Sequence, residues 1–359
     1  MRLAGGETEK PTNNLDAYRL YLQGRQLYQT RHSEALRRSI ELLERAVDLD
    51  PEFDEAWANL AAASSVYAFQ LDDGYREYQQ RSRDAVRRAI AINPDNGLAR
   101  AVNGLAQISE IRVMEGIPEF QRAIALNPNE SNALLWMGIG LSVLGYTQEA
   151  IDALRAAEAV DPVFVNLQNW LAYLHWQSGD AEGALRHEAR ARELNPDFPM
   201  NIPGEQYFFS GDLDAAERAW ERSNSYYADA IGESFVDINR ISRLMFEALQ
   251  NPARRDEAVR EIQALAPRSS FNGVFIPLMR LGAVEEAMDS IRQTVADGRG
   301  LRAMNTLGSV WLAYDRKHLS HPAVMALFEE LGFVDYWRAH GAPDFCRRDG
   351  DGFRCGEAP

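Results

Sequence analysis

The stretch "SNALLWMGIGLSVLGYTQEAIDALRAAEAVDP", Ser131–Pro162, decides the fold, because it contains two amphipathic helices separated by one turn. The residues that share a face are Leu134, Met137, Gly138 and Leu141 in the first helix and Ala150, Leu154 and Ala157 in the second. Small residues at Gly138 and Ala150 allow the two helix axes to approach closely. The second helix ends before Pro162, since a residue that precedes proline is disfavoured in the helical conformation. The stretch therefore predicts an antiparallel helix pair.

This helix pair recurs along the chain at a fixed period. Pro94, Pro128, Pro162 and Pro196 follow one another at one constant spacing, and they close the similar phrases "AIAINP", "AIALNP", "AEAVDP" and "ARELNP". Their spacing is that of the tetratricopeptide repeat (TPR), which is about 34 residues long. Ser131–Pro162 resembles this family at nearly every signature position. The resemblance implies an all-α, right-handed superhelical solenoid with a short C-terminal capping segment.

The organisation of the rest follows from the same pattern. We expect about eight helix pairs between Leu15 and Gly298 and no β-strand, because valine and isoleucine fall at helical spacing. In the second unit, either the helices are longer or the turn near Asp72 and Gly74 is enlarged. The predicted organisation is a flexible N-terminal extension (residues 1–14), the repeat solenoid (15–298), C-terminal capping helices (299–340) and a cysteine-containing tail (341–359).

Composition limits the classes of partner. The chain has 38 basic and 53 acidic residues, a net charge of −15, which repels phosphate backbones and anionic bilayers. The apolar run 133–145 is shorter than the roughly 20 residues that cross a bilayer. The N-terminus "MRLAGGETEKPTNN" lacks the apolar region of an export signal. We therefore expect no nucleic acid partner and no direct membrane contact by this chain.

Segments near both ends of the chain resemble one particular group of TPR modules. The opening "NLDAYRLYLQGRQLYQTRHSEALRRSIELLERAVDLDP" and the late segment "DYWRAHGAPDFC" resemble the C-terminal TPR modules of bacterial winged-helix regulators and nucleotide cyclases. The resemblance covers most of the chain, but no winged-helix, cyclase or kinase portion accompanies it. It implies a non-catalytic, protein- or peptide-binding module, either the sensory or scaffolding part of a bacterial signalling system or the detached C-terminal regulatory region of such a regulator or cyclase.

Cys346 and Cys355 are the two cysteines of the chain, and they lie in a glycine-rich tail. Three states are open: a disulfide, two free thiols, or a metal site helped by His340. Two thiols and one distant histidine fall short of four zinc ligands, which favours the disulfide. A disulfide implies an oxidising compartment. We therefore expect a periplasmic location if the chain belongs to a membrane-anchored parent, and a cytoplasmic one if it is complete as written.

The remaining polar motifs favour structure over chemistry. His318 and His321 form an H-x-x-H pair without a third ligand, and His321 before Pro322 is typical of a helix start. "DGDG", 349–352, lacks the later ligands of a calcium loop, which favours a plain turn. No phosphate-binding loop, nucleophile elbow or dinucleotide fingerprint is present in the sequence. We expect no catalysis, no metal and no cofactor.

The resemblance also indicates where a partner binds. In TPR proteins the concave groove is lined by first-helix residues outside the packing positions. In two consecutive units these residues are Asn132, Leu135, Ile139, Asn166, Asn169, Tyr173, Trp176 and Gln177. Amide side chains can hydrogen-bond an extended peptide in both directions, and aromatic rings provide contact area. The basic residues with which chaperone-binding TPR proteins hold a terminal carboxylate are absent from these two units. Alternatively, Tyr173 and Trp176 pack against the next repeat.

Overall fold

The computed structural model describes residues 12–71, 74–196, 202–231, 236–266, 273–311 and 316–356. The chain divides into two compact units, Met1–Asn103 and Gly104–Pro359. The first unit holds four complete helices: α1 (Leu15–Gln29), α2 (Ser33–Leu49), α3 (Asp54–Gln70) and α4 (Tyr75–Ile92). The boundary between the units falls within α5 (Gly97–Ser109). Most of the predicted N-terminal extension, residues 1–11, lies outside the described residues.

The helices of the first compact unit are longer than the two helices of the repeat Ser131–Pro162. Helices α3 and α4 contain 17 and 18 residues, so the second repeat differs through longer helices. Asp72 and Asp73 lie outside the described residues. Asn14 caps α1, because its side-chain oxygen accepts hydrogen bonds from the amides of Asp16 and Ala17, both at 3.1 Å. The first helix therefore begins at Leu15.

The second unit continues the helix pairs and adds a C-terminal portion. Its repeat region contains α6 (Val113–Leu126), α7 (Ser131–Val143), α8 (Thr147–Val160), α9 (Val165–Ser178), α10 (Ala181–Leu194), α11 (Ile202–Ser210), α12 (Leu213–Ile231), α13 (Val236–Gln250), α14 (Arg255–Leu265), α15 (Phe275–Arg280) and α16 (Val284–Ala296). The C-terminal portion holds α17 (Gly300–Gly308), α18 (Pro322–Glu330), α19 (Phe333–His340), β1 (Cys346–Asp349) and β2 (Gly352–Cys355). Short 3-10 helices cover Pro252–Arg254, Ser309–Trp311 and Arg316–Ser320.

The predicted fold class is confirmed. The described helices from α1 to α16 form eight consecutive pairs, and the architecture is an all-α solenoid of the tetratricopeptide type. The expectation of no strand is wrong for the tail, where β1 and β2 form a two-stranded antiparallel hairpin with Cys346 opposite Cys355. "DGDG" is the turn of this hairpin. Within the described residues, no helix has both the length and the apolar content needed to cross a bilayer.

Two glycines of α7 show how tightly the pairs pack. A Cβ atom at Gly138 would lie 2.7 Å from Leu154 Cδ2 and 3.1 Å from the Ala150 carbonyl oxygen, so the predicted close approach of α7 and α8 is confirmed. Gly140 occupies no signature position of the repeat. A Cβ atom there would lie 3.1 Å from Ile117 Cδ1, so a larger residue would crowd the preceding repeat, whose helix α6 packs against α7.

A carboxyl pair lies at the start of α3 in the first unit. Asp54 accepts hydrogen bonds from the side-chain amides of Asn93 at 2.8 Å and Asn96 at 2.9 Å. Burial opposes ionisation of Asp54, but hydrogen bonds from Glu55 and the two asparagines outweigh it and lower the pKa of Asp54. Burial and the hydrogen bond to Asp54 raise the pKa of Glu55 to about 7. Glu55 therefore retains its proton to a much higher pH than an ordinary glutamate does, while Asp54 is ionised.

Glu55→Gln is expected to change the pH dependence of stability. A raised pKa in the folded state stabilises the fold below the ordinary pKa of 4.5, and this stabilisation is lost as pH rises through about 7. The unfolding free energy of Glu55→Gln minus that of the parent should therefore increase by about 1–2 kcal/mol as the pH is raised from 5 to 8. Urea unfolding across this range measures the gain. The control is Glu52→Gln, at an exposed carboxyl just before α3. An equal gain there would contradict the raised pKa of Glu55.

Candidate functional site: the groove face of α7 and α9

The eight predicted binding residues lie on two first helices of neighbouring repeats. We call this surface the groove face, formed by Asn132, Leu135 and Ile139 of α7 and by Asn166, Asn169, Tyr173, Trp176 and Gln177 of α9. Helices α7 and α9 contact each other directly, so the sequence spacing does bring the two sets together. The eight side chains differ in their exposure to solvent, and only the accessible ones can contact a binding partner.

Three members of the groove face are buried, which corrects the expectation that they line an open groove. Leu135 is 3% exposed, Trp176 is 2% exposed and Gln177 is completely buried. Trp176 packs in a core cluster with Ala172 and Ala184, so it stabilises its own helix pair. These three side chains cannot touch a partner in the conformation observed.

The other five members are half-buried: Asn132, Ile139, Asn166, Asn169 and Tyr173. Asn132 already has a local partner, because its amide nitrogen donates to Glu130 Oε1 at 2.9 Å while Glu130 caps α7. Asn166 and Asn169 are separated by one turn of α9 and therefore lie on one side of the helix. These two amides form the most accessible polar pair of the groove face on α9.

The C-terminal portion of the chain covers part of the groove face. Helix α17 packs on α7, and the Tyr173 hydroxyl donates to Ser309 Oγ at 3.1 Å. Burial raises the pKa of the Tyr173 phenol, opposed by the hydrogen bond to Ser309. The sequence did not predict these contacts. A local repeat pattern does not show that a segment about four repeats later in the chain packs against α7 and Tyr173.

Backbone carbonyls at the ends of α7 and α9 bind the same C-terminal portion. The indole N–H of Trp311 donates to the Val143 carbonyl and that of Trp337 to the Leu144 carbonyl, both at 2.9 Å. Arg316 donates to the Gln177 carbonyl at 3.0 Å. The last carbonyls of a helix have no partner within it, so these donors cap both helices. Val143 and Gln177 are one repeat period apart and hold the same position in successive repeats.

The turn between α7 and α8 is contacted by the stretch that follows α19. The Tyr146 hydroxyl donates to the Gly341 carbonyl at 2.7 Å. The amide of Gln148 donates to Asp344 Oδ2 at 2.8 Å, and the Asp344 amide donates to the Gly145 carbonyl at 3.2 Å. Burial and the neighbouring Tyr336 raise the pKa of Tyr146, which keeps its phenol a hydrogen-bond donor. The repeat-four turn is therefore fixed by a segment from the far end of the chain.

The Gln177 side chain is the least satisfied polar group of the groove face. Neither its oxygen nor its nitrogen has a hydrogen-bond partner among the residues that the structure describes. An amide that is buried without partners typically costs about 1–3 kcal/mol. Burial of the Gln177 amide in this conformation is therefore unfavourable in itself.

The two cysteines are joined by a disulfide across the hairpin of β1 and β2. Cys355 is buried, and the hairpin contacts the 3-10 helix Arg316–Ser320. His340 Nδ1 lies 2.9 Å from the Tyr336 carbonyl oxygen, and its ring stacks on Tyr336. In the described part of the chain, no three histidine, cysteine or acidic side chains are grouped closely enough to hold a metal ion.

Comparisons with known proteins found partial similarities. No family model matches it. It is 21% identical over 275 residues to the transcriptional regulator HilA of Salmonella typhimurium, covering 74% of this chain and 48% of HilA. It is 35% identical over 103 residues to cellulose synthase operon protein C of Escherichia coli (strain K12), covering 27% of this chain and 9% of that protein. The chain thus spans about half the length of HilA and a small part of the second relative.

One of the solved structures to which the chain is similar is a TPR protein. TTC0263, a thermophilic TPR protein in Thermus thermophilus, is 20% identical, and the match covers 57% of this chain and 98% of that one with a TM-score of 0.42. The likeness concerns the repeat fold alone. With its constant repeat period and its eight helix pairs, the chain is similar to TPR proteins. The groove face is its candidate binding surface.

Proposed function

We propose that the chain is a non-catalytic module that binds a protein or an extended peptide through the groove face, as the sensory or scaffolding part of a bacterial signalling system. The observation that carries this proposal is the pair of half-buried amides, Asn166 and Asn169, on one side of the first helix of a repeat. An amide side chain both donates and accepts hydrogen bonds, as a peptide backbone does. Tyr173 and Ile139 add half-buried apolar surface beside them.

A second candidate function is the C-terminal regulatory region of a winged-helix transcription regulator or a nucleotide cyclase. The similarity to the transcriptional regulator HilA over 74% of this chain favours the regulator. Both candidates use the same groove face. They are distinguished by the reading frame of the source gene, where an in-frame DNA-binding or cyclase domain would support the second candidate.

Peptide selection on the intact chain tests the binding function. Peptides selected from a displayed library of short random sequences provide the probe. Asn166→Ala combined with Asn169→Ala removes two neutral hydrogen bonds and should weaken a selected peptide about tenfold or more, measured by fluorescence anisotropy. The melting temperature should not fall by more than a few degrees, because neither side chain belongs to the buried core.

The matched control is Gln263→Ala, which removes an exposed amide from the second helix α14. It should leave peptide affinity unchanged. If no peptide is selected, or if both variants bind a selected peptide equally, the groove face is not the binding surface and the proposed function fails.

A further inference from the structure

The first unit carries a cleft that the proposed function does not use. It lies between α2 and α4, includes Trp57 and Leu60 of α3 in its lining, and has a volume of about 590 Å³. We call it the α2–α4 cleft. We propose that this cleft binds a cationic segment of a protein partner, one that presents an apolar side chain between lysine or arginine residues. The proposal does not depend on the groove face, which belongs to α7 and α9 of the second unit.

The floor of the α2–α4 cleft is apolar. Val47 and Leu60 belong to the buried core beneath it, and Trp57 is half-buried, so part of its ring remains accessible. The indole N–H of Trp57 donates to the Pro51 carbonyl at 3.0 Å, which fixes the ring in place. A fixed aromatic ring provides contact area at little entropic cost. The floor can therefore receive an apolar side chain of a partner.

Four carboxylates surround this floor. Glu44 and Asp48 lie one turn apart on α2, and Glu77 and Asp84 lie two turns apart on α4. Among the described residues that line the cleft, the base is Arg81, which pairs with Glu44 and, at 3.3 Å, with Glu77. Four carboxylates and one guanidinium leave the lining with an excess of negative charge on both helices.

This negative charge is not neutralised within the cleft. Burial raises the pKa of Glu44, Arg81 opposes this effect, and the neighbouring Asp48 adds to it. Arg87 pairs with Asp84, but Arg87 is exposed and does not line the cleft. A cation placed between α2 and α4 would offset the repulsion among the carboxylates. Such charge complementarity favours a basic partner and disfavours an acidic one.

The corresponding position of the next repeat shows what distinguishes the α2–α4 cleft. Arg100 takes the place of Trp57, because its Nε donates to the Pro94 carbonyl at 2.8 Å as the Trp57 indole does to that of Pro51. Each proline ends the second helix of the preceding repeat. An arginine at this position removes the aromatic floor and repels a cation. The combination of an aromatic floor and an acidic rim therefore belongs to the first of these two positions.

A replacement of the floor provides the first test. The probe is a short labelled peptide of leucine and lysine, and fluorescence anisotropy measures its binding to the intact chain. Trp57→Arg copies the arrangement seen at Arg100, so it can keep the hydrogen bond to Pro51, and its melting temperature should fall by no more than a few degrees. It should weaken peptide binding about tenfold or more, because a like charge replaces the apolar floor.

A matched pair of charge reversals provides the second test. Asp84 on α4 and Asp152 on α8 are two repeat periods apart, and both are exposed. Each accepts a hydrogen bond from a glutamine one turn earlier, Asp84 from Gln80 at 2.9 Å and Asp152 from Gln148 at 3.2 Å. Asp84→Lys should weaken the peptide about tenfold, whereas Asp152→Lys should change its affinity less than about twofold, because only Asp84 lines the cleft.

The outcomes separate a binding site from the general attraction of a cation to an acidic chain. Equal weakening by Asp84→Lys and Asp152→Lys would show that net charge alone attracts the peptide, and it overturns the proposal. Absence of binding to the parent chain, or affinity that Trp57→Arg leaves unchanged, also overturns it. If Trp57→Arg melts early, the two charge reversals decide the question without it.

A last comparison keeps the cleft distinct from the proposed function. Asn166→Ala combined with Asn169→Ala should bind the leucine and lysine peptide as tightly as the parent, because neither residue lies in the first unit. A loss of affinity in that variant would assign the peptide to the groove face and overturn the cleft. Failure of the groove face to bind selected peptides rejects the proposed function and leaves the predicted effects of Trp57→Arg and Asp84→Lys unchanged.

Discussion

Trp311→Ala is expected to lower the free energy of unfolding of the second unit by about 3–5 kcal/mol. Trp311 is completely buried, and its ring stacks on Phe328 with the ring centres 5.0 Å apart. It also contacts Trp337, at 6.0 Å between ring centres, and donates to the Val143 carbonyl. Alanine removes the packing and the donor together and leaves a cavity between α7 and the C-terminal portion. Urea unfolding followed by circular dichroism measures the loss.

Trp311→Phe separates the two contributions. Phenylalanine retains most of the stacking on Phe328 but cannot donate to the Val143 carbonyl. We expect it to cost about 1–2 kcal/mol, the range for losing one buried hydrogen bond together with a modest change in volume. If Trp311→Ala costs less than about 1 kcal/mol, the C-terminal portion is not packed on α7 in solution. If the two variants cost the same, the indole N–H carries the contact and the ring does not.

The helix pairs could be predicted from sequence because their determinants are local. Gly138, Ala150 and Leu154 lie within one repeat, and the proline period fixes where each second helix ends. Two short-range features still escaped. The hairpin of β1 and β2 has strands of only four residues, too short for an alternating pattern to be visible. Gly140 is close to Ile117 of the preceding repeat, so its neighbour lies outside the repeat to which Gly140 belongs.

The state of the groove face could not be predicted, because it depends on contacts between distant parts of the chain. Trp311 donates to a carbonyl 168 residues earlier, and Trp337 to one 193 residues earlier. A repeat pattern predicts which residues face away from the packing helix, among them Asn169 and Gln177. It does not show which of them stay exposed in the folded chain. Gln177 was expected to line the groove and is buried.

A buried ion pair supplies the second large effect, and it lies away from the groove face. Arg280 of α15 donates to Glu205 of α11, and their side chains are only 8% and 11% exposed. The guanidinium carbon lies 3.5 Å from the centre of the Phe208 ring and 4.5 Å from that of Trp220. Burial lowers the pKa of Arg280, and Glu205 opposes this. The pair fixes α15 to α11 and α12.

Glu205→Gln should therefore cost about 3 kcal/mol or more in unfolding free energy, because it leaves the Arg280 cation buried without its counter-charge. The control is Glu182→Gln on α10, whose pair with Arg186 has side chains 88% and 60% exposed and should matter by less than about 1 kcal/mol. Urea unfolding of both variants gives the comparison. Equal losses would show that the Arg280 pair is hydrated in solution.

Replacing both members tests the cause of that loss. Glu205→Leu with Arg280→Met keeps a similar volume against Phe208 and Trp220 and removes both charges. Two apolar side chains in place of a buried ion pair are often neutral or stabilising, so the double variant should recover most of the stability that Glu205→Gln loses. If it is instead as unstable as the single variant, the hydrogen bond and the stacking of Arg280 on its aromatic neighbours stabilise this junction, and the unpaired charge is not the reason for the loss.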